Sequence, residues 1–218
     1  MTRGSAWIDA DLATYLDDHS AKPDVVQQRL IEQTAALGGP AVMQIGANQG
    51  ALLEVLVGGL RPHFAIEIGT FTGYSSIAIA RGLPDGGRLL CCDTSEEWTT
   101  VAVNAWKEAG IADRVELKIG PAAKTLQALD PAVDVDFAFI DADKGGYIGY
   151  YEALLPRLST HGVIAVDNTL WSGRVLDEGD ISPDTVAIRA FNEHVARDDR
   201  SIAALTSIGD GLTFIRKR

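Results

Sequence analysis

Residues 63–76 read His63-Phe-Ala-Ile-Glu-Ile-Gly69-Thr-Phe-Thr-Gly73-Tyr-Ser-Ser76. His63–Ile68 has the apolar run of a buried strand and stops at Gly69, while Tyr74–Leu83 carries apolar residues at helical spacing. Two glycines frame the turn between them, so the backbone there can come close to a bound molecule. The same alternation continues downstream. Strands are predicted over Arg88–Cys92, Val115–Ile119, Val135–Ile140 and Gly162–Val166. Helices are predicted over Glu96–Ala109, Ala122–Leu129, around Tyr147–Leu158 and over Thr185–Ala196; Ser95 and Gly110 supply cap signals for the first of them. The end of the chain, Ile202–Ser207, Gly209-Asp-Gly211 and Leu212–Arg216, reads as a hairpin.

Working back from His63, the first sixty residues are helical in pattern. Asp9–His19, Pro23–Leu37 and Asn48–Leu60 each carry apolar residues at helical spacing. Pro23 suits a first helical turn, and Gly38-Gly39-Pro40 stops the second segment. Strands apolar on both faces and alternating with helices imply an α/β fold: a mostly parallel sheet with helices on both faces. The closing hairpin adds an antiparallel strand at one end. One domain over 1–218 is expected, with N-terminal helices in 1–60 and the sheet core in 61–218.

Composition limits the partners. Of 218 residues, 46% are apolar and 22% charged, as in an ordinary globular protein, so wholesale disorder is excluded. Nineteen Lys and Arg against thirty Asp and Glu give a net charge of −11, which disfavours nucleic acid and anionic membranes. No apolar run approaches the ~18 residues of a spanning helix. Met1–Asp9 lacks the apolar stretch of a secretory signal. The two cysteines, Cys91 and Cys92, are neighbours in an apolar strand and read as reduced thiols of a cytoplasmic protein.

Ligands of such sheets sit beyond the carboxyl ends of the strands. The Gly69 turn lacks G-x-G-x-x-G, which disfavours a nicotinamide-dependent dehydrogenase. Gly120-Pro-Ala-Ala-Lys124-Thr125 lacks the P-loop glycine, and Gly73-Tyr-Ser75-Ser-Ile77 lacks the last glycine of a nucleophile elbow. Glu67 lies inside an apolar strand, where a carboxylate needs a partner such as a cationic ligand or ribose hydroxyls. Asp93, ending the second strand, reads either as a ribose ligand or as a turn aspartate. Two further strands end in Asp141 and in Asp167-Asn168. If adjacent, they bring three oxygens together, a set that suits a hard divalent cation such as Mg2+. The four histidines show no metal-ligand spacing. Lys144 reads either as a general base beside that cation or as a surface lysine paired with Asp143. Trp171 either covers a flat aromatic substrate or packs against its own loop.

Four stretches, 65–75, Phe139–Lys144, Val166–Trp171 and Ile208–Leu212, together resemble the cation-dependent O-methyltransferase family. That family includes caffeoyl-CoA O-methyltransferase and is related to catechol O-methyltransferase; the resemblance runs from about Gln33 to the end. It implies a Rossmann-like, seven-stranded sheet with one antiparallel strand, S-adenosylmethionine as methyl donor, and Mg2+, or Ca2+ or Mn2+ in its place. By motif, Glu67, Gly69, Thr70 and Ser75 line the donor site, Asp93 binds its ribose, and Ala122 lies near its adenine. Met43 lies beside donor and acceptor. Asp141, Asp167 and Asn168 match the metal ligands, with Asp141 also bordering the donor. Lys144 matches the base, working with Asp141, and Trp171 a substrate-loop aromatic. A homodimer with N-terminal helices in its packing is common in the family.

Two departures stand out. Asn48-Gln49-Gly50 replaces an Asp-Glu-Gly that the family often carries. The loop Arg174–Asp184 lacks the tyrosines and the arginine that mark a CoA-thioester site in the plant enzymes, so a smaller catechol-like acceptor is expected. Two alternatives stay open: methylation of a tRNA nucleoside, against which the net charge counts, and a non-catalytic binding module. Among Lys and Arg residues only Arg216-Lys217-Arg218 forms a cluster.

Overall fold

The computed structural model describes residues 9–218; the reading of Met1–Ile8 as non-secretory lies outside the described residues. Three helices come first: α1 (Ala10–Asp18), α2 (Val25–Ala35) and α3 (Ala47–Leu60). Asp24 rather than Pro23 starts α2, because its carboxylate accepts the Val26 and Gln27 amides while Gln27 closes the reciprocal capping box. Then follow β1 (Phe64–Ile68), α4 (Tyr74–Gly82), β2 (Arg88–Asp93), α5 (Glu96–Glu108), β3 (Val115–Ile119) and α6 (Ala122–Ala128). The second half holds β4 (Val135–Ile140), α7 (Tyr147–Leu154), β5 (Leu158–Val166), α8 (Pro183–Ala196), β6 (Ser201–Thr206) and β7 (Leu212–Lys217).

The seven strands form one sheet in the order β3-β2-β1-β4-β5-β7-β6, all pairs parallel except those of β7, which runs against both neighbours. Side chains alternate across it as the pleat requires. Ala65, Leu89, Cys91, Phe137, Phe139 and Ala165 pack with Leu53, Val57, Ile77 and Trp106 from α3, α4 and α5. Ile66, Ile68, Leu90, Ala138, Ile140, Ile164 and Val166 pack with Leu126, Tyr147, Tyr151, Ile188 and Phe191 from α6, α7 and α8. No described helix is long and apolar enough to cross a membrane.

Several predicted bounds move. The seventh helix ends at Leu154, and β5 begins at Leu158 rather than Gly162, because Leu158 pairs with Val135 across a register shift. The eighth starts two residues early, with Ser182 at the cap and Pro183 in the first turn, where its missing N–H costs nothing.

The glycine at the end of β1 is a steric requirement. Gly69 has φ +91°, and a Cβ there would lie 1.8 Å from the Asp141 carbonyl oxygen. Gly69→Ala combines a left-handed conformation with a backbone clash. It is expected to cost about 3 kcal/mol or more in urea unfolding; an unchanged midpoint would show that the turn tolerates a side chain.

Candidate active site

Sheet pairing continues one residue past the strands. The Gly69 amide donates to Cys92 O at 2.9 Å, Asp141 N to Ile68 O at 2.8 Å, Asp167 N to Ile140 O at 2.9 Å and Gly120 N to Asp93 O at 2.8 Å. These bonds hold the first loop residues after β1, β3, β4 and β5 level with one another. Above them lies a cleft of ≈ 890 Å³. Of the residues singled out in the sequence, Met43, Gly69, Thr70, Ser75, Asp93, Ala122, Asp141, Lys144, Asp167, Asn168 and Trp171 all line it.

Glu67 does not border the cleft; it lies wholly buried beneath it. The Cys91 thiol donates to its Oε2 at 3.3 Å, and Oε1 has no hydrogen-bond partner. Desolvation pushes its carboxyl up to about 7, against the pull of the Ser75, Cys91, Thr70 and Ser76 side chains. The folded protein therefore binds this proton more tightly than the unfolded chain does. Wild type loses stability as pH rises from about 4.5 through 7, and the loss is complete above 7. Glu67→Gln is expected to stabilise the fold at pH 8 by up to about 3 kcal/mol, seen as a higher thermal midpoint, and not at pH 4. An effect that does not vary with pH would refute this.

At the β2 end Asp93 serves the turn first. Its Oδ2 accepts the Thr70 and Phe71 amides at 2.9 and 2.8 Å, and its Oδ1 accepts Ser95 N at 2.8 Å. That is the turn-aspartate reading, and three accepted bonds still leave the carboxylate room for a fourth. Phe71 meets Trp98 edge-on, with centroids 5.1 Å apart, and both line this half of the cleft. Ala122 is buried at the start of α6.

The other half collects the charged groups. Because β4 and β5 are paired with Ile140 opposite Val166, Asp141 and Asp167 emerge side by side. Lys144 turns back over them: its Nζ donates to Asn168 Oδ1 at 2.6 Å, Tyr147 OH at 2.7 Å and Asp141 Oδ1 at 3.2 Å. It is not the surface partner of Asp143, which accepts instead from Tyr150 OH at 2.6 Å. Asp167 Oδ1 accepts the Asn168 amide at 2.7 Å, and Oδ2 accepts Gln49 Nε2 at 2.7 Å. Burial pushes both aspartate carboxyls up, Asp167 to about 7 with the Asp141 charge adding to the rise, while Lys144 pulls both down.

Asn168, Trp171 and Ser172 have left-handed backbones, φ 57°, 50° and 52°. The loop that carries them is fastened from outside. Arg189 of α8 donates to the carbonyls of Arg174, Val175, Asp177 and Asp180, and Asn192 donates to Thr169 O at 2.7 Å. This places the Trp171 ring 5.5 Å from Lys144 Nζ, a cation–π distance that combines the two readings of this tryptophan: it packs in its loop and faces the cleft. Met43 lines the cleft from the single-turn helix Gly39–Met43 and is partly exposed.

Sequence reasoning did not single out Tyr147 or Arg189, nor Asp210, which lines the cleft from the β6–β7 turn, and it noted Gln49 only as a departure. Tyr147 is a core aromatic by pattern, and the Gln49 contact spans 118 residues. Among the described residues one trio of classical ligand types comes together, Glu152, His194 and Asp198. It lies at the far end of α7 and α8, and Arg200 already pairs there with Glu152 and Asp198, each at 2.6 Å. That trio is an ion-pair network, separate from the cleft.

A mostly parallel seven-stranded sheet with β7 reversed, and a cleft above its carboxyl edge, defines a Rossmann-like methyltransferase fold. Similar proteins agree. A probable caffeoyl-CoA O-methyltransferase of Dictyostelium discoideum is 40% identical over 210 residues, 94% of this chain and 91% of the relative. An O-methyltransferase from Bacillus cereus, solved in complex with SAH, is 32% identical with TM-score 0.85 over 95% of this chain and 97% of that one. The SAH-bound Podospora anserina methyltransferase PaMTH1 is 26% identical with TM-score 0.89 over 99% and 100%. The model of the O-methyltransferase family matches residues 17–218, and the chain belongs to that family: it is an O-methyltransferase.

Proposed function

We propose that this enzyme transfers the methyl group of S-adenosylmethionine to one hydroxyl of a small vicinal-dihydroxy aromatic, with Mg2+ or a similar divalent cation held by Asp141, Asp167 and Asn168. What carries this reading is that Asp141 and Asn168, from two adjacent strand ends, both accept from the Lys144 ammonium, with Asp167 emerging beside Asp141. The donor set is hard, with two carboxylates and an amide, and no histidine lines the cleft. Two carboxylates, Asp167 buried and Asp141 largely so, against one ammonium leave a negative charge that a divalent cation offsets.

A phenol titrates near 10, so its reactive anion is scarce at neutral pH. A divalent cation held by Asp141, Asp167 and Asn168 would supply a Lewis acid that lowers the pKa of the acceptor's hydroxyl. With a cation on Asp141 and Asn168, the Lys144 ammonium would lose two of its three acceptors and give one proton to solvent, and the neutral amine would then take up the acceptor's hydroxyl proton. The oxygen then attacks the sulfonium methyl in line; the C–O bond forms as the C–S bond breaks, and SAH is the product. The positive sulfonium and the negative phenolate cancel as they react, so the cleft contributes mainly alignment and closeness. Trp171 and Met43 flank the acceptor, and Glu67 with the Gly69 turn supports the donor.

Caffeoyl-CoA appears in the names of the relatives, but Arg174 is tied to Asp180 at 2.6 Å and to Ser182 at 3.0 Å, which leaves no free arginine at the start of the loop for a CoA phosphate. Small free acceptors are favoured. The exposed Leu12, Tyr15, Leu16 and Val25 of α1 and α2 support packing as a homodimer. The net charge of −11 and the buried free cysteines support a cytoplasmic enzyme with no nucleic-acid or membrane partner. The test is a panel of ortho-diphenols, monophenols and caffeoyl-CoA with labelled donor, with Mg2+ and with EDTA. Label on free ortho-diphenols only when the cation is present is expected; equal label on a monophenol in EDTA would overturn the reading.

A further inference from the structure

We infer that Gln49 is the positioning residue of the ion site, its side-chain amide fixing the Asp167 carboxylate; the inference rests on the reading that Asp141, Asp167 and Asn168 hold a divalent cation. Gln49 stands in the first turn of α3 and is only 2% exposed. Its Nε2 donates at 2.7 Å to Asp167 Oδ2, while the other oxygen takes the Asn168 amide at 2.7 Å. With both oxygens anchored, rotation of the carboxylate breaks one bond or the other. The amide orientation is dictated, because a carboxylate only accepts.

Gln49 is itself held. Its Oε1 lies against the β6–β7 turn, where a Cβ on Gly209 would come within 2.3 Å of it. Gly209 has φ +56°, so the turn both needs a glycine and leaves room for the amide. One side chain thus ties α3, the end of β5 and the hairpin turn to a single carboxylate. A glutamate in this place, as the family often has, would set acceptor against acceptor. The glutamine orients Asp167 without adding a third carboxylate to the pair that Asp167 forms with Asp141. Groups that orient metal ligands in this way typically contribute 10–100-fold to metal affinity.

The experiment uses Gln49→Met, which keeps the length of the side chain and removes the donor, with Gln49→Leu as a second variant. Free Mn2+ is followed by electron paramagnetic resonance during titration of the full chain without methyl donor, and SAH affinity is measured by calorimetry without metal. Mn2+ affinity is expected to fall about 10–100-fold with SAH affinity unchanged. Equal Mn2+ affinity in wild type and variants would overturn the inference and leave the ion site standing. A wild type that binds no Mn2+ at one-to-one stoichiometry would overturn the ion site and the inference together. Variants that lose SAH along with Mn2+, or that do not fold, would make Gln49 part of the scaffold and overturn its assignment to the ion.

Discussion

Asp141→Ala is expected to abolish methyl transfer. Asp141 emerges from β4 beside Asp167, accepts from Lys144 and is largely buried, with its side chain 18% exposed. A phenol titrates near 10, and a cation that lowers the pKa of the attacking hydroxyl by about three units raises the share of reactive anion about 10³-fold at neutral pH, so the loss should reach about 10³-fold or more. SAH binding separates this from misfolding, because the turn amides that Asp93 holds are untouched. The check is labelled methyl transfer at saturating SAM and Mg2+, with EDTA-treated wild type alongside. A variant within about tenfold of wild type would remove Asp141 from the chemistry.

Lys144→Ala is the second large effect. Its three N–H groups reach three acceptors, two of them proposed cation ligands, and its side chain is only 10% exposed. As general base it should be worth about 10²–10⁴ in kcat. Lys144→Arg keeps the charge and the donors but cannot give up its proton, so it should not rescue the rate. Mn2+ and SAH binding should survive both changes, since Asp141, Asp167, Asn168 and the Gly69 turn remain. Unchanged kcat across the pH range in Lys144→Ala would remove it as the base.

Much of this site was legible because it sits where strands end. Buried parallel strands read as continuous apolar runs, so a carboxylate closing such a run is conspicuous, as Asp93, Asp141 and Asp167 are. Gly209-Asp-Gly211 announced the hairpin that reverses β7. Partners that depend on folding were not legible. Nothing local says that Lys144 turns back onto Asp141 while Asp143 faces Tyr150; the choice is made by where α7 starts. Leu158-Ser-Thr-His161 has polar residues that disguise the start of β5, and only its pairing with β4 makes it a strand. Arg189 looks like an ordinary helix-surface arginine until the loop over it supplies four carbonyls. Asp93 allowed two readings, and the backbone claims most of its oxygens without excluding the second.

The most direct test of a hard ion beside the donor pocket is an anomalous difference map from crystals grown with Mn2+ and SAH. One peak bonded to oxygens of Asp141, Asp167 and Asn168 is the expected result. No peak there, or a peak only at Glu152, His194 and Asp198, would contradict the account.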